Sequence, residues 1–329
     1  MPNTSLLNKL LAISPYVEVI VRHLYWNNIN IIKKFLALFH ENTIQQKVII
    51  DDKSFDKILN YLSDNGVTKG SLLIIHSAYR PLSSTGKSPE QIIQCLIDYL
   101  GPKGTLAMPA MPKFINDINP IDYINKDISS LIFNYDVHST RVTTGVLPKT
   151  LCSWPGAVRS RYPINTMVAL GPLAISMMEK NLQGHSPLPC GTNSSWNYCH
   201  ENDAFVVALG VDMAHSLTMI HVAEDLLDEK WPIQNWYRDR NFVIKDGDFI
   251  TKTTLRERHP RWGTLHYAER TLCKDMINKN IMRSTEINGI TVECLRAKKL
   301  ISYLNSRNIS GYPYYGVRKY VKKKAKSNN

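Results

Sequence analysis

The chain has 329 residues, 43% hydrophobic and 21% charged, proportions of a soluble globular protein with one large domain or two modest ones, and not of a disordered chain. Forty Lys and Arg against 28 Asp and Glu give a net charge of +12, half of it from Arg318, Lys319, Lys322, Lys323, Lys324 and Lys326 near the C-terminus. The body is still basic and favours anionic ligands, yet no zinc-finger spacing or RNA-recognition motif points to nucleic acid.

In chain order, residues 1–50 read as a helical N-terminal extension, with amphipathic helices over residues 6–12 and 16–39 broken at Ser14-Pro15 and hitched at residues 27–30. Glu18, Arg22, Lys33 and Lys34 interrupt the apolar runs, so neither helix suits a bilayer span. The expected role is packing on the main body or on a second subunit of a homo-oligomer. Peripheral membrane contact through Trp26, Phe35 and Leu36, or a lid over substrate, are the alternatives.

Residues 51–312 read as one domain. A helix over 56–64 and a turn at 67–70 lead into the apolar run 71–76, a strand covered on both faces as in a parallel or mixed sheet. The small-residue loop Ser83, Ser84, Thr85, Gly86 and Lys87 follows. A helix then starts with Ser88 as N-cap and Pro89 in its first turn and runs to Leu100, and residues 105–109 make a second strand. Strand, loop, helix and strand form a βαβ-like unit, whose loops are where α/β proteins bind ligands. The Ser83–Lys87 stretch could cradle phosphate through its amides, with Lys87 as counter-charge. It lacks the glycine pattern of a P-loop, which disfavours nucleoside triphosphate chemistry.

Further on, Thr143, Thr144 and Gly145 open a short helix, and Arg159 and Arg161 present two guanidinium groups on a loop before the strand at 167–171. The stretch 183–224, QGHSPLPCGTNSSWNYCHENDAFVVALGVDMAHSLTMIHVAE, organises the rest. It runs from His185 in a Gly/Ser/Pro-rich loop, through an apolar strand at 204–210, into a helix carrying His221 and Glu224. A loop histidine and a helix carboxylate meeting beside a strand end make a general-base pair. His221, one turn before Glu224, shares its face and is the second candidate for the imidazole. His76, ending a buried strand, reads as a hydrogen-bonded core residue. The runs 241–244 and 249–254 around Lys245-Asp246-Gly247-Asp248 predict a β-hairpin. Helices over 267–281 and 297–305 close the body, and 313–329 is a basic tail. Six cysteines lie far apart with no CxxC pair and no cleavable signal pattern, which suits free thiols in a reducing cytoplasm and no metal site.

The segments HSAYRPL, GPKGTLAMPAM, TTGVLP, WPGAVRSRYP, GHSPLPCGTNSSW and VALGV followed by HVAE occur in this order. Together they resemble the aminoglycoside 3-N-acetyltransferase family. The resemblance spans residues 72–224 and implies an α/β fold with a mixed central sheet flanked by helices, here carrying the N-terminal extension and the hairpin. It implies acyl transfer from coenzyme A, as co-substrate, to an amine on a sugar. By the same resemblance, His185 and Glu224 are the catalytic pair. His76, Ser77, the Ser83–Lys87 loop, Thr143, Thr144 and Gly145 line the donor side, and Tyr79, Arg159, Tyr162, Ser216 and His221 the acceptor side. This chain departs from the family pattern at Tyr162, where the family commonly has His, and at Leu217 and Met219, where it commonly has polar residues.

An amine must be neutral to attack a thioester, and imidazole is the side chain poised to take its proton near pH 7. In the expected mechanism Glu224 orients His185, and amides near Ser77 or the Thr144 hydroxyl hold the oxyanion, each donor contributing about 3 kcal/mol. Cys190 and Cys199 have no sequence-local partner that would make either a nucleophile. The basic body favours a nucleotide-linked (dTDP- or UDP-) amino sugar, such as a 3-amino-3,6-dideoxyhexose for surface polysaccharide, as acceptor. The alternatives are an aminoglycoside 3-N-acetyltransferase conferring antibiotic resistance and a non-catalytic coenzyme A-binding or membrane-surface assembly protein.

Overall fold

The computed structural model describes residues 6–32, 50–114, 120–309 and 311–316. Its centre is the apolar run read as a doubly covered strand, Leu72–Ser77 (β1), whose first five residues are buried. Alternate side chains feed two cores. Leu72 and Ile74 join Ala107, Val206, Ala208 and Trp196 on one face. Leu73 and Ile75 join Leu106, Val207, Leu209 and Phe55 on the other. Both faces of the sheet are therefore dry, which explains the absence of polar alternation in these strands.

Thr105–Pro109 (β2) and Phe205–Leu209 (β6) flank β1, both parallel to it. Val158–Arg159 (β4) and Met167–Leu170 (β5) extend the sheet beyond β2, and Ile290–Arg296 (β10) and Met282–Ile287 (β9) extend it beyond β6, all through antiparallel pairs. The helix Pro89–Leu100 covers one face. Ser88 starts it with a capping box to Gln91, and Gly101, at φ +66°, stops it. Helices Ser195–Glu201, Glu269–Asn278 and Ala297–Ile309 bury Trp196, Met276 and Leu300 against the opposite face.

The hairpin is longer than the sequence suggests. Tyr237–Asp246 (β7) and Phe249–Arg258 (β8) pair from Asp246↔Phe249 to Tyr237↔Arg258 around Gly247-Asp248, and Gly247 has φ +60°. Ile132–Asp136 (β3), which the sequence reading did not mark, pairs parallel with β7 and completes a separate three-stranded sheet. Phe114, Phe133, Phe242 and Ile244 form its core.

Within the N-terminal extension, Leu6–Leu11 and Pro15–Asn27 are helical, with Ser14 capping the second. The second helix ends at the expected hitch. Phe35 and Leu36 lie outside the described residues, as do Arg318 through Lys326 of the tail. Tyr314 and Tyr315 are buried in the main core, so the packed body continues past residue 312. Among the described residues no helix is long and apolar enough to cross a membrane.

Candidate active site

β1 and β6 end side by side, with Ser77 opposite Leu209. Beyond them lies a cavity of about 500 Å³ lined by His76, Ser77, Pro109, Met111, Thr143, Thr144, Gly145, His215, Ser216 and Thr218 among others. Five expected donor-side residues thus meet here. Gly145 holds φ +118° and passes close to the Ser77 carbonyl, a backbone shape that favours glycine. The Thr143 hydroxyl donates to the Met111 carbonyl at 3.0 Å and that of Thr144 to the Pro109 carbonyl at 2.6 Å. Both fix the loop. The Thr144 proton is therefore spent and cannot also serve an oxyanion, and the Ala78 amide is likewise engaged by the Leu209 carbonyl. His76 is buried against Trp196, and desolvation pushes its pKa down to about 4. It sits in the cavity wall as a neutral ring, and its Nε2 has no hydrogen-bond partner among the described residues. The hydrogen-bonded core role expected for it is thus not met.

The Ser83–Lys87 loop differs from expectation. Ser83, Ser84 and Thr85 hydroxyls donate to the carbonyls of Arg80, Pro81 and Leu82, each three residues back, which turns the stretch into a continuation of the short Tyr79–Leu82 helix. The Gly86 amide donates to the Ser83 carbonyl and the Lys87 amide faces the Thr85 hydroxyl at 3.4 Å. The three hydroxyls and the Gly86 amide are thus taken up within the loop itself. Tyr79 belongs to the same unit, its hydroxyl donating to the Lys87 carbonyl.

The imidazole that meets Glu224 is that of His221. Thr218–His221 forms a 3-10 turn that runs directly into the Val222–Asp225 helical turn, a tighter start than one continuous helix. His221 Nδ1 lies 2.9 Å from Glu224 Oε2, and Arg258 Nη1 lies 3.8 Å from Glu224 Oε1. With Nδ1–H given to the carboxylate, Nε2 carries the lone pair of a base. Burial holds the His221 pKa below its ordinary value, aided by Arg258 and opposed by Glu224. His221 lines a cavity of about 150 Å³ with Met213, Arg258, Tyr267 and Glu269. That cavity shares His215, Ser216 and Thr218 with the larger one beyond β1, so the two adjoin.

His185 stands elsewhere. It is exposed on the wall of a cavity of about 510 Å³ lined also by Asn181, Gln183, Asn193, Asp225, Asp228, Glu229 and Arg256. Glu224 is bonded to His221 and faces Arg258 at 3.8 Å, so the carboxylate's imidazole partner here is His221 and not the His185 read from the sequence. Asp225 accepts from the Cys190 amide at 2.9 Å and the Tyr237 hydroxyl at 2.8 Å, and burial beside Glu224 pushes its pKa up to about 7. Arg256 is paired with Asp228 at 2.9 Å, so the unopposed charge of this cavity is acidic.

Two other acceptor-side expectations become structural. Arg159 is 8% exposed, and its guanidinium donates to the carbonyls of Ala110, Val137 and Thr140 over the Tyr135 ring. It sits on the short strand β4 and not on an open loop. Tyr162 is buried, with its hydroxyl 2.9 Å from the Pro187 carbonyl and 3.3 Å from that of Arg256, which ties the His185 loop to the hairpin. Arg258, Asp225 and His215 escaped the sequence reading. The alternation of Arg256 and Arg258 along β8 was the available signal for a shared face. His215 meets Asp212 at 2.5 Å across a turn, a spacing visible in the sequence. Cys190 and Cys273 are buried with thiols pushed well up by desolvation, poor conditions for a nucleophile.

A family model described as aminoglycoside 3-N-acetyltransferase matches residues 74–307. The chain belongs to this family. It is 28% identical over 254 residues to aminoglycoside N(3)-acetyltransferase IX of Micromonospora chalcea, covering 71% of this chain and 85% of that one. Aminoglycoside N(3)-acetyltransferase IV of a Salmonella species is 30% identical over 204 residues, 62% of this chain and 69% of the relative. Among solved structures, AAC-IIIb in binary complex with CoASH superposes with a TM-score of 0.61 at 19% identity, over 77% of this chain and 94% of that one. A mutant of AAC(3)-IVa in complex with a gentamicin gives 0.58 at 20% identity, over 81% and 90%. The mixed sheet flanked by helices is thus the family fold.

Proposed function

We propose that this protein acetylates an amine of an aminoglycoside-like polyamine sugar, with His221 as general base oriented by Glu224. Membership of the family makes the chain an acyl-coenzyme A-dependent N-acyltransferase. The donor fits the larger cavity: Pro109, Met111 and Val211 supply an apolar wall for a pantetheine arm, and Ser77 and Gly145 bring backbone close to it. The acceptor amine enters the adjoining cavity. Its nitrogen attacks the thioester carbonyl, His221 Nε2 takes the proton released from that nitrogen, the carbon–sulfur bond breaks, and the thiolate leaves. Glu224 stabilises the imidazolium formed on the way. Arg258 Nη1 is buried without a hydrogen-bond partner among the described residues and lines the same cavity, which makes it the donor available to the tetrahedral oxyanion.

The observation that carries this reading is the His221–Glu224 bond behind the wall of the smaller cavity, which adjoins the larger one through His215, Ser216 and Thr218. On the acceptor, net charge is a poor guide, because it does not describe one cleft. In the His185 cavity Arg256 is offset by Asp228, which leaves Glu229 and the partly ionised Asp225 as its unopposed charge, and this acidic balance supports a polycation over a pyrophosphate-bearing nucleotide sugar. The named relatives are aminoglycoside acetyltransferases, which supports the same choice. The test is to incubate the protein with acetyl-coenzyme A and either an aminoglycoside or a nucleotide-linked amino sugar, reading free thiol and product mass. Acetylation of the aminoglycoside is expected, and turnover confined to the nucleotide sugar would overturn it.

A further inference from the structure

The helix Pro15–Asn27 precedes residues 74–307, the part that matches the family model, yet it reaches the wall of the His221 cavity. Arg22 pairs through Nη2 with Glu269, and its Nη1 donates to the carbonyls of Gly263 and Thr264, both at 3.3 Å. Glu269 lines that cavity together with His221, Ser216 and Arg258. The helix cannot easily slide. Fully buried Glu18 accepts from the Arg270 and Thr271 amides at 3.1 and 3.0 Å and from the Thr271 hydroxyl at 3.1 Å. Lys274 Nζ reaches back to the Ala12 carbonyl at 2.6 Å. These contacts set Arg22 against Glu269 and hold it there.

A half-buried carboxylate facing an amine-binding cavity attracts ammonium groups, and a guanidinium beside it cancels most of that attraction. We propose that Arg22 and Glu269 form an acceptor-selecting pair, by which the N-terminal extension sets the charge that the reactive cavity presents to its substrate. The inference rests on the reading that the acceptor amine enters the His221 cavity. Arg22 keeps this wall near neutral, so that the part of the sugar seated there is recognised by hydrogen bonds and the remaining ammonium groups are held elsewhere.

The experiment measures Kd by calorimetry for gentamicin and for glucosamine, which carries one amine, with coenzyme A present. In Arg22→Gln the freed carboxylate tightens binding of gentamicin, which carries several ammonium groups, by about threefold or more and that of glucosamine, which carries one, by less. In Glu269→Gln the freed guanidinium weakens gentamicin binding by about the same factor. The double variant returns to within about twofold of wild type, because the two changes cancel in charge and are coupled. The differences shrink in high salt. Equal shifts for both ligands, no shift in either single variant, or no gentamicin binding to wild type and Arg22→Gln alike would overturn the proposal. Arg22→Lys, which keeps the charge, retains wild-type affinity, and with Glu269→Gln it decides the matter should Arg22→Gln fail to fold. Loss of turnover in His221→Ala without any change in the gentamicin-to-glucosamine ratio of the pair variants sinks this inference alone. Full turnover in His221→Ala sinks the reading beneath it.

Discussion

On composition alone the histidines at 185 and 221 look interchangeable, yet the regions that carry them are opposites. His221 sits in a tight turn between β6 and the hairpin, with its ring bonded to a buried carboxylate and its pKa lowered by desolvation. His185 lies exposed in the loop before Cys190, on the rim of an acidic cavity. The difference teaches that an imidazole's fitness to act as a base depends on its second nitrogen's partner and its dryness more than on membership of a Gly/Ser/Pro-rich loop.

Glu224→Ala removes the group that orients His221 and is expected to lower kcat by about a hundredfold or more, read by thiol release under saturating acetyl-coenzyme A. A loss under about threefold would put the two histidines back on equal footing. Arg258→Met is expected to cost about tenfold in kcat/KM if its free Nη1 serves the oxyanion. It also carries a signed consequence. Arg258 helps hold the His221 pKa down, so its removal moves the acid limb of the pH–rate profile to higher pH, whereas an unmoved limb would separate Arg258 from His221. Tyr162→Phe removes the hydroxyl that ties the His185 loop to β8. Its expected effect is about a two- to threefold rise in acceptor KM with kcat retained, and a large fall in kcat would give the loop a chemical role.

The smallest expected effect concerns stability. His76 has a folded-state pKa of about 4, below its ordinary value near 6.5. Between these values the unfolded chain binds the proton and the folded chain does not, so this contribution is intact above pH 6.5 and declines as pH falls toward 4. Thermal melts of wild type from about pH 7 to about pH 5 should drop more steeply than those of His76→Phe. Parallel curves would show that the ring is less desolvated than its place against Trp196 indicates.

The central strands, the capped Pro89–Leu100 helix, the hairpin and the order of the family segments were legible because each rests on local signals: apolar runs, Ser-Pro caps and a Gly turn. The strand Ile132–Asp136 was missed although Phe133, Tyr135 and Val137 alternate with Asn134 and Asp136, a period-2 pattern too short to stand out before its core with Phe114 and Phe242 is known. In the site, the structure bonds Glu224 to His221 and sets the Thr143–Gly145 stretch on the larger cavity, whereas the sequence reading put His221 second to His185. Choosing between them needed the direction of a side chain, which sequence spacing does not contain. Arg159 and the Ser83–Lys87 loop differ from the sequence reading for a related reason: donors that look free in a sequence are committed to backbone carbonyls.

The most direct measurement sets His221→Ala beside His185→Ala under saturating acetyl-coenzyme A and aminoglycoside, with coenzyme A binding checked in both. The structure predicts a fall in kcat of about a hundredfold to ten-thousandfold for His221→Ala and less than about threefold for His185→Ala. The reverse order, with His185→Ala inactive and His221→Ala near wild type, would contradict it.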